Sequence, residues 1–287
     1  MVDILDLVKN LREITGAGFL DCKKALLAND NDIESSIDYL RKKGLLKASK
    51  KSSREAKDGA VGIYNNNSKI IILKINSETD FAAKSDKFLQ FVDLIGNIAL
   101  KNNDDIDKDS FLESIYEGKK ISEYFTDIIS VIGENIVLRD IKVIQLDDNC
   151  YNYYVHNSYK KNIGKIISLI IYKSLKQNNV IEEFTKNICM HIAASKPEAI
   201  DIEYLDPEIV KKEKDFQRDN IKNSGKPSDI IDKIIDGKMK KFYSESTLLN
   251  QNYVLDPDKK VKEVINTLPS EYSFKLIDYK LVVLSWW

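Results

Sequence analysis

The sequence predicts an α+β protein in which three N-terminal helices precede two related modules, each a small antiparallel sheet covered by helices. The order strand, strand, helix and a delayed third strand occurs twice along the chain, which indicates the two modules. Apolar residues recur at helical spacing near the N-terminus and in a charged insertion, which predicts a helical domain and a helical hairpin. The predicted boundaries are 1–54 for the helical domain and linker, 55–146 and 147–287 for the modules, and about 207–243 for the hairpin.

The N-terminal helices are predicted from three apolar stripes separated by turn residues. The first stripe starts at Ile4 and is broken by the stretch TGAG at 15–18, and the second covers 19–28. The third begins at Ile33 and is expected to end at Gly44, a residue typical of helix C-caps. The following stretch, KASKKSSREAKD, carries no large apolar side chain. It is interpreted either as a tether or as an exposed extension of the third helix.

Both modules are predicted from apolar strand patterns joined by short turns. In the first, AVGIY, the turn NNNS and KIIILKI form a hairpin, a helix runs from Phe88 to Ala99, and IVLRDIKVIQL is the third strand. In the second, YNYYV and IGKIISLIIYK form the hairpin, a helix covers about 180–195, and SFKLIDYKL holds the last strand. The stretches NNDDIDKDS and HNSYKKN are expected to be solvated connections.

The charged insertion in the second module predicts two antiparallel helices. The first starts at Asp206-Pro207, the turn is SGKP at 224–227, and the return helix is SDIIDKIIDGKMKKFY. The return helix has one apolar side, which we expect to project toward a partner; the alternative is that it packs on its own module. The side chains concerned are Ile230, Ile231, Ile234 and Phe242.

Composition and motifs favour a binding protein over an enzyme. The formal net charge of −1 argues against a strongly basic nucleic-acid binder, and no apolar run or leader pattern predicts a membrane partner or secretion. Three widely separated cysteines argue against a disulfide framework and favour a cytoplasmic location. Walker, GxGxxG, GxSxG and HExxH motifs are missing, and the two histidines lie in different predicted elements. We therefore predict no catalytic residue, no metal site and no cofactor.

The stretch SETDFAAKSDKF, residues 77–88, raises the question of what Phe81 does in a polar turn behind Asp80. Phe81 lies seven residues before Phe88, so both would share a buried face on one continuous helix. However, Ser85-Asp86 predicts a helix start after Phe81. An aromatic residue on a strand-to-helix turn often contacts a partner instead. Position alone leaves both interpretations open.

Five motifs in order resemble the bacterial elongation factor Ts family, the guanine-nucleotide exchange factors of elongation factor Tu. They are LREITGAGFLDCKKAL at 11–26, INSETDFAAKSDKF, IGENIVLRDIKV, HIAASKP, and SGKP followed by GKMKKF. The resemblance covers nearly the whole chain. It implies that the N-terminal helices form a ubiquitin-associated-like domain and that the hairpin is the family's coiled-coil insertion.

The resemblance implies that the Asp-Phe pair acts in nucleotide exchange. In the family this pair enters the nucleotide-binding domain of elongation factor Tu close to its Mg²⁺ site, and the matching residues here are Asp80 and Phe81, flanked by Thr79 and Ala82. Ala82 stands where the family usually has valine. The implied result is loss of Mg²⁺ coordination, release of GDP and binding of GTP, without chemistry performed by this chain.

Other positions are carried over by the same resemblance. Ile132 and Gly133 match a turn that touches the same partner domain, although they are equally suited to end a helix on their own sheet. His156 matches a contact histidine after the first strand of the second module, in a longer loop. The implied partner is elongation factor Tu in its GDP-bound and nucleotide-free forms. The hairpin of some members also contacts a second copy, so homodimerisation is an alternative; no nucleic acid or membrane partner is expected.

The main alternative is a ubiquitin-associated-like adaptor or a ribosome-associated translation protein that never accelerates exchange. Such a protein would use its N-terminal helices alone, and Asp80 and Phe81 would be dispensable. An enzyme ranks third, because it would require a pocket in which buried carboxylates converge.

Overall fold

The computed structural model describes residues 3–102, 106–221 and 228–284, with backbone alone at 45–50 and 228–229. Contacts divide the chain into two compact units, the first made of residues 1–145, 157–165 and 283–287, and the second of residues 146–156 and 166–282. The turn predicted at 224–227 and the terminal Trp286 and Trp287 lie outside the described residues. No helix in the described ranges has the length and apolar character needed to cross a bilayer.

Helices pack on sheets with antiparallel strand pairing, which confirms the α+β fold class. The helices are α1 (Ile4–Thr15), α2 (Phe19–Ala28), α3 (Ile33–Lys51), α4 (Asp80–Lys84), α5 (Asp86–Lys101), α6 (Lys108–Glu113), α7 (Ile121–Ile132), α8 (Asn179–Ser195), α9 (Pro207–Ile221), α10 (Ser228–Ser246) and α11 (Val261–Ile265). The strands are β1 (Asp58–Asn65), β2 (Lys69–Ser77), β3 (Ile115–Tyr116), β4 (Lys119–Lys120), β5 (Val137–Gln145), β6 (Cys150–His156), β7 (Ile163–Gly164), β8 (Ile166–Lys173), β9 (Asn252–Tyr253), β10 (Asp256–Lys260) and β11 (Lys275–Val283).

The three N-terminal helices have a small core of their own. Asp3 caps α1 by accepting a hydrogen bond from the Leu5 amide at 3.1 Å, and Gly16 ends it with a left-handed backbone. The buried core residues are Val8, Leu11, Cys22, Ala25 and Leu26. This cluster is small. The helices also contact α7 in the same unit, and these contacts include the ion pair between Arg41 and Glu123 at 2.8 Å.

Gly44 does not end the third helix, so the predicted C-cap is wrong. α3 continues through Lys51, which fits the interpretation of this stretch as a helix extension. A Cβ atom at Gly44 would lie 2.7 Å from Ser130 Oγ on α7. Glycine is therefore needed for close packing of two helices rather than for a left-handed turn.

The first sheet has the strand order β5-β2-β1-β7, with antiparallel pairing between neighbours. The predicted hairpin, helix and third strand are present as β1, β2, α5 and β5. The stretch IGKIISLIIYK was expected to be one strand, but it divides at Lys165: β7 pairs with β1, whereas β8 pairs with β6. The sheet core is formed with α5 and α7 and contains Phe88, Val92, Ile95, Ile121 and Leu138, among others.

The segment HNSYKKN is solvated only in part: His156, Asn157, Ser158 and Lys161 are exposed, as predicted, but the segment is also anchored to the first unit. Tyr159 packs against the sheet core, and Lys160 forms an ion pair with Asp93 of α5 at 2.9 Å. Asp93 also accepts hydrogen bonds from Tyr64 Oη at 3.0 Å and from Asn162. These contacts hold the segment beside β1 and explain why β7 joins this sheet.

The second unit has a three-stranded sheet in the order β11-β8-β6, with α8 packed on β6 and β8. The short β9–β10 ribbon and α11 complete the unit. Its core contains Ile170, Tyr172, Ile181, Ile188, Ile192, Leu248 and Val261, among others. The predicted strand regions are present in this unit as β6, β8 and β11, apart from the part of IGKIISLIIYK that forms β7 in the first sheet.

The inserted hairpin consists of α9 and α10, as predicted, but its apolar side does not project. Ile231, Ile234 and Phe242 pack against a cluster within the hairpin itself, made of Ile221, Ile235 and Met239. Only Ile230 of the predicted set is exposed. The two helices therefore bury most of their apolar surface by packing on each other.

The buried histidine of the second unit is held in its neutral form at neutral pH. His191 Nδ1 accepts a hydrogen bond from the Val254 amide at 3.2 Å, and its Nε2 faces Gln251 Oε1 at 3.0 Å. With Nδ1 as the acceptor, Nε2 carries the proton and donates it to Gln251. Burial lowers the pKa of His191, and the Gln251 bond opposes this only in part.

We expect stability to decrease as the pH falls below the ordinary histidine pKa of about 6.5. The unfolded chain then binds a proton that folded His191 does not, so the stabilising effect is complete above this pKa and is lost toward the lower folded-state pKa. Urea unfolding followed by circular dichroism between about pH 7.5 and about pH 5 measures the loss. His191→Gln should reduce this pH dependence, whereas His156→Gln, which removes an exposed imidazole, should retain it. Equal pH dependence in wild type and His191→Gln would contradict the assignment.

Candidate functional site

The turn between β2 and α4 is shaped by two successive caps. Thr79 has an extended backbone, and its Oγ1 accepts a hydrogen bond from the Ala82 amide at 3.2 Å, which starts α4. Ser85 is also extended, and its Oγ accepts from the Phe88 amide at 3.3 Å, which starts α5. The helix predicted to begin at Ser85-Asp86 is therefore present, and a short separate helix carries Phe81.

Phe81 is exposed and Phe88 is buried. The exposed fraction of Phe81 is 83%, the highest among the large apolar side chains described, whereas Phe88 is 0% exposed. Because the helix is interrupted at Ser85, the two rings do not share a face. The core interpretation of Phe81 is therefore wrong. Ala82 and Ala83 carry the packing of α4 instead, with exposed fractions of 7% and 0%.

Asp80 lies beside the exposed ring and carries a negative charge. Lys84 Nζ lies 2.8 Å from Asp80 Oδ2, one turn along α4. This hydrogen bond holds the pKa of Asp80 below its ordinary value, so the carboxylate stays ionised at neutral pH. The turn thus presents an aromatic ring next to a partly compensated carboxylate.

The second predicted segment ends α7. Gly133 has a left-handed backbone with φ 88°, and its amide donates to the Ile129 carbonyl at 2.9 Å. Ile132 is half-buried and packs against the sheet core, while Gly133 is exposed. The helix-terminator interpretation of this pair is therefore correct, and exposure of Gly133 leaves it accessible to a partner as well.

The structure brings these two turns together through side chains that the sequence did not single out. Glu134 Oε2 accepts a hydrogen bond from the Thr79 amide at 3.0 Å, and Glu134 Oε1 accepts from Thr79 Oγ1 at 2.7 Å. In return, Glu78 Oε1 accepts from the Asn135 amide at 2.7 Å. The missed residues are immediate neighbours of the motifs SETDF and IGEN, but no local pattern shows that they pair.

Further contacts hold the second turn to the end of the helical domain. Asn135 Nδ2 donates to the Arg54 carbonyl at 2.7 Å, and Lys51 Nζ donates to the Gly133 carbonyl. Asn135 is buried, so its amide would be costly to leave without a partner. The turn is therefore fixed from two sides.

His156 belongs to the second unit, where it is the last residue of β6. Its imidazole is exposed, and Nδ1 lies 3.3 Å from Tyr154 Oη. The ring is therefore oriented by one neighbour and remains accessible to solvent.

Comparison with known proteins decides the family. Residues 78–282, more than half of the chain, match the family model described as "Elongation factor TS". The chain belongs to the elongation factor Ts family. Proteins named elongation factor Ts from Rhizobium meliloti (strain 1021) and Rhodospirillum centenum (strain ATCC 51521 / SW) are each 39% identical over 259 residues, which cover 90% of this chain and 84% of the relative. The one from Rhodopseudomonas palustris (strain BisA53) is 38% identical over the same shares.

Membership in the elongation factor Ts family confirms the resemblance drawn from the five motifs. It makes this chain a member of a translation elongation family. The family match begins at Glu78, so it includes the whole turn that carries Phe81. Among the described residues, no group of three His, Cys, Asp or Glu side chains is placed to hold a metal ion.

Proposed function

We propose that this protein is the guanine-nucleotide exchange factor of elongation factor Tu: it binds the GDP complex, disturbs the Mg²⁺ and phosphate site, and so allows GTP to replace GDP. The observation that carries the proposal is the exposed ring of Phe81 on a capped, rigid turn. A protein that needs this ring only for its own fold would bury it. The proposed partner places the protein in the cytoplasm.

The proposed mechanism requires no acid, base or metal supplied by this chain. A GTPase holds GDP through backbone amides around the phosphates and through Mg²⁺, and both depend on nearby loops staying in place. Insertion of Phe81 between elements of the partner would shift those loops. The ring gains burial only when the loops have moved, so the complex favours the nucleotide-free state. This difference in affinity is the whole driving force for exchange.

The neighbouring residues take distinct roles in this proposal. Asp80 directs its charge toward the Mg²⁺ site of the partner, and Thr79 fixes the start of α4. Ala82 is buried, so it supports the ring from behind rather than contributing contact area. Gly133 offers an exposed backbone turn to the same partner domain, with Ile132 anchoring it. His156 is proposed to make a separate contact from the second unit.

The adaptor is kept as a second candidate because the N-terminal helices also expose apolar residues. Leu20 and Leu27 lie seven residues apart on α2, and both are exposed. They form an exposed apolar surface that does not include the Phe81 turn. The hairpin likewise exposes Ile209 and Phe216 on α9, which are the side chains we propose for contact with a partner or a second copy.

Release of fluorescent GDP from purified elongation factor Tu tests the proposal. The complex with Mg²⁺ is mixed with excess unlabelled GDP, with and without the full-length protein, and the fluorescence decay gives the release rate. We expect the rate to rise with protein concentration in the micromolar range. A rate unchanged by the protein would overturn the proposed function.

A further inference from the structure

The two turns of the candidate site exchange hydrogen bonds in both directions. The carboxylate of Glu134 accepts hydrogen bonds from the amide and the hydroxyl of Thr79, and the carboxylate of Glu78 accepts one from the amide of Asn135. The pairs are 55 and 57 residues apart in the chain, so these are tertiary contacts rather than parts of one local turn. Hydrogen bonds to an ionised acceptor are stronger and more directional than those between neutral groups.

Glu134 controls the cap of the helix that carries Phe81. The Thr79 hydroxyl has one proton, which it uses to donate a hydrogen bond to Glu134 Oε1 at 2.7 Å. Its lone pairs are then free to accept from the Ala82 amide, which is the cap of α4. With five residues, α4 is too short to be stable without its cap and its packing. The direction of Phe81 therefore depends on Thr79, and Thr79 depends on Glu134.

Glu78 and Asn135 complete the arrangement from the other side. Asn135 is held by its backbone bond to Glu78 and by its side-chain bond to the Arg54 carbonyl, so two hydrogen bonds tie the loop after Gly133 to its neighbours. Arg54 also approaches Glu78 Oε2 at 3.5 Å. Glu134 is thereby presented to Thr79 in a fixed position, which is what a positioning residue requires.

We propose that Glu134 is a positioning residue for nucleotide exchange. Its two hydrogen bonds with Thr79 fix the direction of the Phe81 ring. The proposal rests on the proposed exchange function. In this proposal the turn after α7 acts on exchange by orienting the Phe81 turn, in addition to any direct contact with the partner. Glu134 does not touch the nucleotide, and its loss lowers the rate only as far as the ring is misdirected.

A double-mutant cycle on GDP release tests this dependence. We expect Glu134→Ala to lower the maximal release rate by about tenfold. This decrease should not exceed that of Phe81→Ala, because a Phe81 ring with the wrong direction can still make some of the contacts that a missing ring cannot make. In the Phe81→Ala background, Glu134→Ala should cause no further loss. A residue that acts only through overall stability would lower the rate in both backgrounds.

Conservative and matched variants complete the test. Thr79→Ser keeps the hydroxyl and should lower the rate less than Thr79→Val, which should reproduce Glu134→Ala. Glu113→Ala removes a carboxylate paired with Lys120 in the same unit and should leave the rate unchanged. If Glu134→Ala also lowers the melting temperature by several degrees, Glu134→Gln, which keeps the volume and one acceptor oxygen, replaces it in the cycle.

The outcomes separate the two proposals. Without acceleration by the wild-type protein, the exchange function itself fails. If wild type accelerates release but Glu134→Ala has the wild-type maximal rate, or if its loss is the same in the Phe81→Ala background, the positioning role is overturned. The positioning role is supported if Glu134→Ala lowers the release rate only in protein that retains Phe81.

Discussion

Phe81→Ala is expected to slow GDP release from elongation factor Tu by an order of magnitude or more at limiting protein concentration. Aromatic anchors buried in a partner pocket dominate interface energies, and their truncation costs about 2 kcal/mol or more. The melting temperature should barely change, because the ring is 83% exposed and contributes little to folding. Both quantities are measured on the same sample.

Asp80→Ala provides a graded comparison for this variant. The Asp80 carboxylate pairs with Lys84 on the exposed side of α4, so its removal should also leave the fold intact. We expect a smaller decrease in GDP release than for Phe81→Ala. A Phe81→Ala protein with a normal melting temperature and a normal release rate would show that the exposed ring is not the exchange element.

Phe88→Ala should have the opposite profile, because the same chemical change is made at a fully buried position. Removing this ring leaves a cavity in the sheet core, at a cost of about 3–5 kcal/mol. For a protein of this size the melting temperature should fall by about 6–20 °C. Thermal unfolding by circular dichroism measures the change.

The activity of Phe88→Ala follows from its stability. At a temperature where the variant is still folded, its maximal release rate should be near that of wild type, because the Phe81 turn is capped by Ser85 and Thr79 rather than by the Phe88 ring. A melting temperature equal to that of wild type would contradict the placement of Phe88 in the core. Phe81→Ala should thus change the release rate and leave the melting temperature nearly unchanged, whereas Phe88→Ala should lower the melting temperature and leave the maximal release rate nearly unchanged.

Local patterns predicted most of the elements. The stretches AVGIY and KIIILKI with the turn NNNS between them predicted β1 and β2, and Ser85-Asp86 predicted the start of α5, because caps and turns act over a few residues. α7 was not predicted, although Ile121, Phe125 and Ile129 recur at helical spacing. This spacing is typical of an amphipathic helix.

Other features depend on contacts that the sequence does not display. Gly44 is typical of a C-cap, and only the approach of Ser130 to within 2.7 Å of its Cβ position shows why glycine is needed inside α3. The break at Lys165 depends on the anchoring of the preceding segment by Lys160 and Asp93. The apolar side of α10 is covered by α9, which the pattern of either helix alone cannot show.

The candidate site shows the same division between local and long-range information. Thr79, Asp80 and Phe81 could be named from one short stretch and its resemblance to a family signature. The pairing of Thr79 with Glu134 could not, because hydrogen bonds between residues 55 positions apart leave no mark on local spacing. The resemblance to the family signature therefore predicts a partner-contacting ring at Phe81, and the structure adds the hydrogen bonds between Thr79 and Glu134.

The most direct test of the central claim is the rate of GDP release measured on samples in which binding to elongation factor Tu has also been quantified. If the protein is an exchange factor, the release rate rises with protein concentration and saturates over the same concentration range as binding. A complex that forms over this range while GDP leaves at its intrinsic rate would contradict the account and identify the protein as an adaptor.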